Sequence, residues 1–244
     1  AAISRNLVRC EPLPYDYYGA YAEEGTAWRL GAGRADEPKH EAHPYLDRID
    51  GELTFGFPAS FALVAEEVRA AREGAAIFDQ SYFGKLVLHG PRADAAMQWI
   101  CGADLEGKAE GSVTYTPLCN VKGGVEADLT VTRLPRGEGW YMCTGGATYS
   151  HDVAWIQHAL EAGGFLNGVA LRDESDEHTL ISVQGPKALE LLAPLAGGGL
   201  DDLGAFPFST MRELSIAGHA LRCLRLTFVG ELGFELHVPR RSAP

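Results

Sequence analysis

The hydrophobic pattern around residues 60–76 predicts an amphipathic helix. Apolar residues recur at steps of three or four positions with charged residues between them; they are Phe61, Val64, Val68, Ala71 and Ala75. Ser60 stands directly before this pattern and is a suitable N-cap. Residues 1–52, in contrast, hold aromatic and charged residues without a sustained period, which predicts an irregular arm that docks through its aromatic side chains.

A strand, turn and helix pattern then occurs twice along the chain. The segments KLVLHGPRADAAMQWI (85–100) and LISVQGPKALELLAPL (180–195) each contain a strand pattern, a Gly-Pro break and a helix pattern. Each copy is followed by a glycine-bearing turn and an acidic strand, NVKGGVEADLTV (120–131) and FVGELGFELHV (228–238). This internal duplication predicts an α+β fold built from two pseudo-repeated antiparallel sheet/helix units.

The two acidic strands bring candidate chemistry into this pattern. Asp128 aligns with Glu235, and the alternation of strand side chains puts Asp128 with Thr130, and Glu235 with His237, on the face opposite the core leucines and valines. If the two copies pack face to face, both carboxylates line one central cleft. The alternative is that each acid caps a hairpin or lies in solvent, as most acidic residues do.

Composition and charge narrow the class of protein. The chain of 244 residues is 46% hydrophobic and 22% charged, which is typical of a folded globular protein. Its net charge of −12 disfavours nucleic acid as a partner. Five scattered cysteines without a C-x-x-C pair indicate a reducing compartment, and no apolar run is long enough to span a membrane. The Ala at the start and the ending PRRSAP suggest a processed product or a fragment.

Common catalytic and cofactor motifs are missing from the sequence. It contains no dinucleotide fingerprint, P-loop, nucleophile elbow or zinc-protease motif. His40 and His43 form H-x-x-H in a proline-rich stretch without a helix to present them, so no metal site is predicted. His178 is interpreted as a surface residue. His237 differs because strand parity lets it either contact a ligand or orient Glu235.

Seven segments of the chain resemble the sarcosine dehydrogenase family, in the part that follows its flavin domain. They are YDYYGAY (15–21), TFGFP (54–58), FDQSYFGK (78–85), YTPLCNVKGGVEADLTVTRL (115–134), QGP (184–186), AFPFST (205–210) and LTFVGELGFELHVP (226–239). The resemblance implies a middle-region linker over residues 1–52. It also implies an aminomethyltransferase domain with the glycine cleavage T-protein-like folate-binding fold over residues 53–244, truncated so that the family's C-terminal barrel is absent.

The same resemblance implies that this domain binds tetrahydrofolate, with or without a polyglutamate tail. The folate captures the one-carbon unit released when the flavin domain oxidises the N-methyl group of sarcosine. Asp128 is the implied catalytic residue, and Phe83, where T-proteins carry Met, is a candidate pocket wall. The implied folate-binding residues are Tyr115, Asp128, Leu129, Thr130, Phe228, Glu235, Leu236 and His237. Many relatives carry Tyr at the position of Phe228.

Other interpretations remain open at this point. The chain is alternatively a dimethylglycine dehydrogenase fragment, a stand-alone aminomethyltransferase or a non-catalytic docking fragment, although YDYYGAY and FDQSYFGK favour the sarcosine enzyme. FAD is expected only in the full-length enzyme, so the isolated chain is expected not to oxidise sarcosine. The expected partners are tetrahydrofolate and the flavin domain, with no nucleic acid or membrane. The expected location is the mitochondrial matrix in a eukaryote and otherwise the cytoplasm.

Overall fold

The computed structural model of the chain describes residues 61–242 and the backbone of one strand near the N-terminus, β1 (Leu7–Cys10). The sequence pattern did not predict this strand. The rest of the arm predicted over residues 1–52 lies outside the described residues, together with Ser60, His40 and His43.

Single helices separate groups of two or three strands along residues 61–242. The helices are α1 (Phe61–Glu73), α2 (Ala93–Ile100), α3 (Tyr149–Ala162) and α4 (Ala188–Leu192). The strands after β1 are β2 (Ala75–Asp79), β3 (Gly84–His89), β4 (Val113–Cys119), β5 (Val125–Arg133), β6 (Trp140–Thr144), β7 (Ala170–Asp173), β8 (His178–Gln184), β9 (Thr210–Ile216), β10 (His219–Arg225) and β11 (Gly233–Pro239). Short 3₁₀ turns follow β5, α4 and β11.

The strands form two sheets. One has the order β1-β2-β8-β11-β10-β9 and the other the order β4-β5-β6-β3-β7. Neighbouring strands run antiparallel except β1 and β2, which are parallel. Neither sheet closes into a barrel within the described residues. The predicted α+β class with two sheet/helix units is therefore confirmed.

Both predicted strand, turn and helix units are present, and their turns have nearly the same geometry. Gly90 joins β3 to α2 with φ of +126°, and Gly185 joins β8 to α4 with φ of +130°. A Cβ atom at Gly90 would lie 2.5 Å from the carbonyl oxygen of Gly168, and one at Gly185 would lie 2.4 Å from that of Gly74. Glycine is required at both turns because another backbone passes directly beside them.

The repeat extends further than the sequence pattern indicated, and it exchanges strands between its copies. The first copy runs α1-β2-β3-α2-β4-β5-β6 and the second runs α3-β7-β8-α4-β9-β10-β11. In each sheet four strands come from one copy, while β2 pairs with β8 and β7 pairs with β3. The first strand of each copy thus belongs to the sheet of the other copy.

This topology corrects the alignment of the two acidic strands. β5, which holds Asp128, lies second from the β4 edge of its sheet, and its counterpart in the other sheet is β10. β11, which holds Glu235, has β6 as its counterpart. The similarity of the two acidic segments therefore reflects strand parity and turn composition, because the strands occupy different places in the two copies.

Helices cover the outer face of each sheet, and the inner faces of the sheets meet. Apolar residues of β5 and β6 pack with α2 and α3, and those of β8 and β11 pack with α4. Between the sheets lies a smaller apolar group drawn from both: Val87, Val113, Leu134, Tyr141, Met211 and Leu224. This packing fills the space between the sheets, so the predicted cleft between the two units stays a prediction for the region beyond it.

The predicted helix at residues 60–76 is confirmed as α1, but its apolar stripe is largely exposed. Phe61, Val64 and Val68 keep 49%, 47% and 53% of their surface accessible, and Ala71 is the buried residue of the helix. Ala75 belongs to β2 instead. Periodicity identified the helix but did not show how deeply its apolar face is buried.

Four of the five cysteines lie among residues 61–242. Cys101, Cys119, Cys143 and Cys223 are free thiols. Across residues 61–242, no helix combines the length and apolar character needed to cross a bilayer.

Candidate active site

The inner face of the five-stranded sheet presents a row of polar side chains. Strand register pairs Lys85 with Cys143, Cys143 with Thr130, and Thr130 with Tyr115. Paired residues in a sheet project to the same side. Asp128 lies two residues before Thr130 on β5 and shares this face, as its parity predicted.

Tyr115 and Asp128 form one part of the candidate site. The Tyr115 hydroxyl donates a hydrogen bond to Asp128 Oδ2, across the β4–β5 pair. This bond to Asp128 is the main cause that raises the pKa of Tyr115. Tyr115 keeps 66% of its surface accessible, and Asp128 is also exposed. The pair therefore offers a carboxylate and an aromatic face to a molecule from solvent.

Glu235 and His237 form the second part, on β11 in the other sheet. The Glu235 side chain is 16% exposed, and its Oε2 lies 3.7 Å from Nε2 of the fully buried His237. His237 Nδ1 is 2.8 Å from the hydroxyl of Tyr141 on β6. Burial is the main cause that lowers the pKa of His237, although the nearby Glu235 carboxylate opposes it. The imidazole is therefore neutral near pH 7.

Cys143 on β6 is a reference point for the positions of Asp128 and Glu235. Burial, and then the negative charge of Glu235, raise the pKa of the Cys143 thiol, which indicates that Glu235 of the other sheet lies near this residue. Cys143 pairs with Thr130, and Asp128 lies two residues before Thr130 on the same strand face. Two residues of strand correspond to about 6.6 Å. Asp128 and Glu235 thus lie on the inner faces of the two different sheets.

The remaining predicted residues occupy different environments. Leu129 and Leu236 are 3% and 6% exposed and pack in the helix-facing cores, so their side chains point away from this region. Only their backbone groups lie beside the acids. Phe228, between β10 and β11, is 94% exposed. Phe83 is half-buried just before β3 and stacks edge-on with Tyr82, with 5.1 Å between ring centroids.

Lys85 is a charged residue of this face that sequence reasoning missed. It is fully buried, and its Nζ donates to the carbonyl oxygens of Ser81 at 2.6 Å and Ser175 at 3.4 Å. Burial lowers the pKa of Lys85, and the nearby Cys143 thiol and three aspartates oppose that effect. Strand alternation places Lys85 and Val87 on one face of β3, but only the packed structure shows that this face is buried at Lys85.

Glu174 is the centre of a second charged cluster that the sequence did not reveal. Its side chain is 3% exposed and accepts hydrogen bonds from Arg172 on β7 and from Arg222 on β10, the latter at 2.9 Å. His178 Nδ1 lies 3.6 Å from Glu174 Oε2, and the His178 side chain is only 14% exposed. The interpretation of His178 as a surface residue was therefore wrong. Burial lowers its pKa to about 4.

Among the described residues, this cluster is also where potential metal ligands come together. Ligand atoms of Glu174, Glu177 and His178 lie within 4.8 Å of one another. Both oxygens of Glu174, however, already accept hydrogen bonds from guanidinium groups. Two positive charges at this distance oppose the binding of a cation, so the group is better explained as a structural ion-pair cluster.

Comparison with known proteins identifies a matching family and several relatives. The profile of the GCVT N-terminal domain matches residues 25–244. Mitochondrial sarcosine dehydrogenase of Homo sapiens is 38% identical over 242 residues, which cover 94% of this chain and 24% of that protein. An aminomethyltransferase of Symbiobacterium thermophilum is 37% identical over 183 residues, which cover 74% of this chain and 48% of that protein. The chain thus spans about a quarter to a half of the length of these relatives.

A solved structure shows the fold independently. The glycine cleavage system aminomethyltransferase T from Bartonella henselae superposes with a TM-score of 0.62 at 24% identity, over 74% of this chain and 46% of that one. The T-protein-like fold implied by the sequence is therefore confirmed.

Proposed function

Because the chain belongs to the GCVT N-terminal domain family, we propose that it is the tetrahydrofolate-binding, one-carbon-accepting part of a sarcosine dehydrogenase-like oxidative N-demethylase. The observation that supports this most strongly is the pair of carboxylates on facing sheets, Asp128 with Tyr115 and Glu235 with His237. The family is folate-dependent, and these groups match what a reduced pterin requires for binding and for reaction.

Glu235 is the proposed pterin ligand. A pterin presents a ring N–H and an amino group along one edge, and one carboxylate accepts both hydrogen bonds, which its charge strengthens. The Glu235 side chain is 16% exposed, so it is accessible yet largely removed from water. Phe228, 94% exposed on the loop before β11, supplies an aromatic face that can stack on the pterin ring.

Asp128 is the proposed catalytic residue. When formaldehyde joins two folate nitrogens, two C–N bonds form, the C–O bond breaks, and water leaves after protons move from the nitrogens to the oxygen. A carboxylate beside these nitrogens can accept and return such a proton and stabilise positive charge on the reacting carbon. The Tyr115 hydroxyl holds Asp128 Oδ2, which leaves Oδ1 to face the ligand.

The proposed source of the one-carbon unit is a flavin domain of the same enzyme, which oxidises the N-methyl group of sarcosine to leave glycine. The extent of the similarity supports this over a stand-alone aminomethyltransferase. The match to human sarcosine dehydrogenase covers 94% of the chain, whereas matches to bacterial aminomethyltransferases cover 74% to 85%. A folate bound close to the place where the one-carbon unit is released reacts with it faster, chiefly because the two reactants are held near each other.

The domain boundaries and location follow from the same proposal. Residues 1–52 are the proposed middle-region linker, and residues 53–244 are the proposed folate-binding domain. The human relative is named as mitochondrial, so the proposed location in a eukaryote is the mitochondrial matrix.

Tetrahydrofolate titration of the chain tests this function directly. Glu235→Gln and Asp128→Asn are compared with Glu161→Gln, a matched control at an exposed position of the outer helix α3. Loss of a hydrogen bond to a charged group costs about 1.5–3 kcal/mol, so Glu235→Gln should weaken binding roughly 10- to 100-fold. Asp128→Asn should bind nearly normally but form methylenetetrahydrofolate from formaldehyde more slowly. Unchanged affinity in Glu235→Gln would contradict the assignment, and failure of the unmodified chain to bind would favour a docking fragment.

A further inference from the structure

A buried hydrogen bond between the two sheets lies directly behind Glu235. Tyr141 on β6 is 1% exposed and His237 on β11 is fully buried. The Tyr141 hydroxyl and His237 Nδ1 are 2.8 Å apart, and the rings meet edge to face with 5.2 Å between centroids. The contact joins His237, which the sequence resemblance had implied, to Tyr141, which the sequence analysis did not single out.

The surroundings of Tyr141 fix the direction of this hydrogen bond. Burial raises the pKa of Tyr141 well above its ordinary value, so the phenol keeps its proton. The guanidinium of Arg222 lies over the Tyr141 ring at 4.7 Å, and a guanidinium has donors only. The phenol proton is therefore directed to the other neighbour, Nδ1 of His237.

The imidazole proton must then be on Nε2. The ring is neutral because it is buried and because the positive charges of Lys85 and Arg222 also lower its pKa. With Nδ1 accepting from Tyr141, the single ring proton lies on Nε2, which faces Glu235 Oε2 at 3.7 Å. The opposite tautomer would place a bare nitrogen against a carboxylate. Nε2 has no hydrogen-bond partner among residues 61–242.

We propose that Tyr141 and His237 are a positioning pair for Glu235: Tyr141 fixes the tautomer of His237, and the Nε2–H of His237 restrains one oxygen of Glu235 so that the other receives the ligand. A shift of less than about 1 Å turns the 3.7 Å approach into a hydrogen bond. His237, implied from the resemblance as a folate contact, acts here through Glu235. This inference rests on the proposed function, since it concerns the same carboxylate.

The tautomer is measured first, without ligand. In the full chain labelled with ¹⁵N-histidine, at neutral pH, the His237 signals should show a protonated Nε2 and an Nδ1 that accepts a hydrogen bond. Tyr141→Phe should shift the Nδ1 resonance, while Tyr149→Phe, which removes a hydroxyl bonded to Asp173 elsewhere, should not. A protonated Nδ1 in the unmodified chain would overturn the proposal.

Tetrahydrofolate affinity is measured second, with urea unfolding of each variant to confirm that it folds. Tyr141→Phe should weaken binding roughly 5-fold, the effect of one net hydrogen bond. His237→Gln, which keeps an N–H, should bind more tightly than His237→Leu. Adding Tyr141→Phe to His237→Leu should change nothing further, because Tyr141 acts through His237.

The outcomes separate this inference from the proposed function. If Glu235→Gln loses affinity but Tyr141→Phe binds normally, or if the effects of Tyr141→Phe and His237→Leu add, the positioning pair is refuted and the folate site stands. If the unmodified chain does not bind tetrahydrofolate, both proposals fail. They also fail if Glu235→Gln binds tetrahydrofolate as tightly as the unmodified chain.

Discussion

Substitution of Glu174 by Gln should destabilise the fold by removing a buried charge that joins the two sheets. Glu174 follows β7, and it accepts hydrogen bonds from Arg172 in the five-stranded sheet and from Arg222 in the six-stranded sheet. Its backbone N–H also donates to the carbonyl of Lys85 at 2.7 Å, so the residue is held in place from both ends. Gln preserves the shape and one acceptor oxygen, while its amide NH₂ group is turned towards a guanidinium.

The size of the effect follows from the exposure of the partners. Arg172 is 54% exposed and can turn to water, so its share of the ion pair is small. Arg222 is 18% exposed and cannot turn to water, so Glu174→Gln leaves its positive charge buried without a partner. Breaking a buried pair costs about 3–5 kcal/mol. Since Gln retains part of the hydrogen bonding, a loss of about 2–4 kcal/mol is expected.

Urea unfolding at neutral pH measures this loss, with Glu213→Gln as the matched control. Glu213 also pairs with an arginine, Arg136, but both side chains are more than half exposed, at 52% and 60%. Removing such a pair should cost under about 1 kcal/mol. A Glu174→Gln variant no less stable than Glu213→Gln would refute the reasoning.

The pH dependence gives a second check on Glu174. Burial acts to raise its pKa, but the hydrogen bonds and charges of Arg222 and Arg172 outweigh burial and hold the pKa below its ordinary value. A lowered folded-state pKa contributes stability above the unfolded-state pKa, which is about 4.3 for Glu. That stability is lost as the pH falls through the folded-state pKa. The difference between the unmodified chain and Glu174→Gln should therefore be largest near neutral pH and shrink below about pH 4.3.

Two further predictions concern the turns and the thiols. Gly185→Ala should lower the free energy of unfolding by about 3 kcal/mol or more, because φ is +130° and the new Cβ would meet the Gly74 carbonyl. Gly123→Ala, at φ of +80° with open space around it, should lower it by about 1–2 kcal/mol. Urea unfolding measures both losses. Cys119 should be alkylated quickly in the folded chain, as read by peptide mass spectrometry, while slow labelling is expected at the buried thiols Cys101, Cys143 and Cys223, whose pKa burial raises. Equal costs for the two alanines, or equal labelling rates, would contradict these assignments.

Local sequence patterns predicted much of the secondary structure and the strand face on which each of the two acids lies. Helix α1, both Gly-Pro turns and the orientation of Asp128 and Glu235 follow from short-range periodicity, because strand side chains alternate and glycine permits positive φ. Family motifs then pointed to both acids. These signals are all carried by residues close together in the chain, so they can be interpreted before any packing is known.

The sequence by itself therefore determined which side chains share a face and which residues the family resemblance assigns to a candidate site. Only the tertiary structure decided what lies opposite each face: that β2 and β7 exchange sheets, that β11 corresponds to β6, and that Tyr141 meets His237 from the other sheet. The reason is physical. Strand parity fixes the direction of a side chain, but a buried hydroxyl, imidazole or carboxylate is stable only when a polar partner is brought to it from a distant part of the chain.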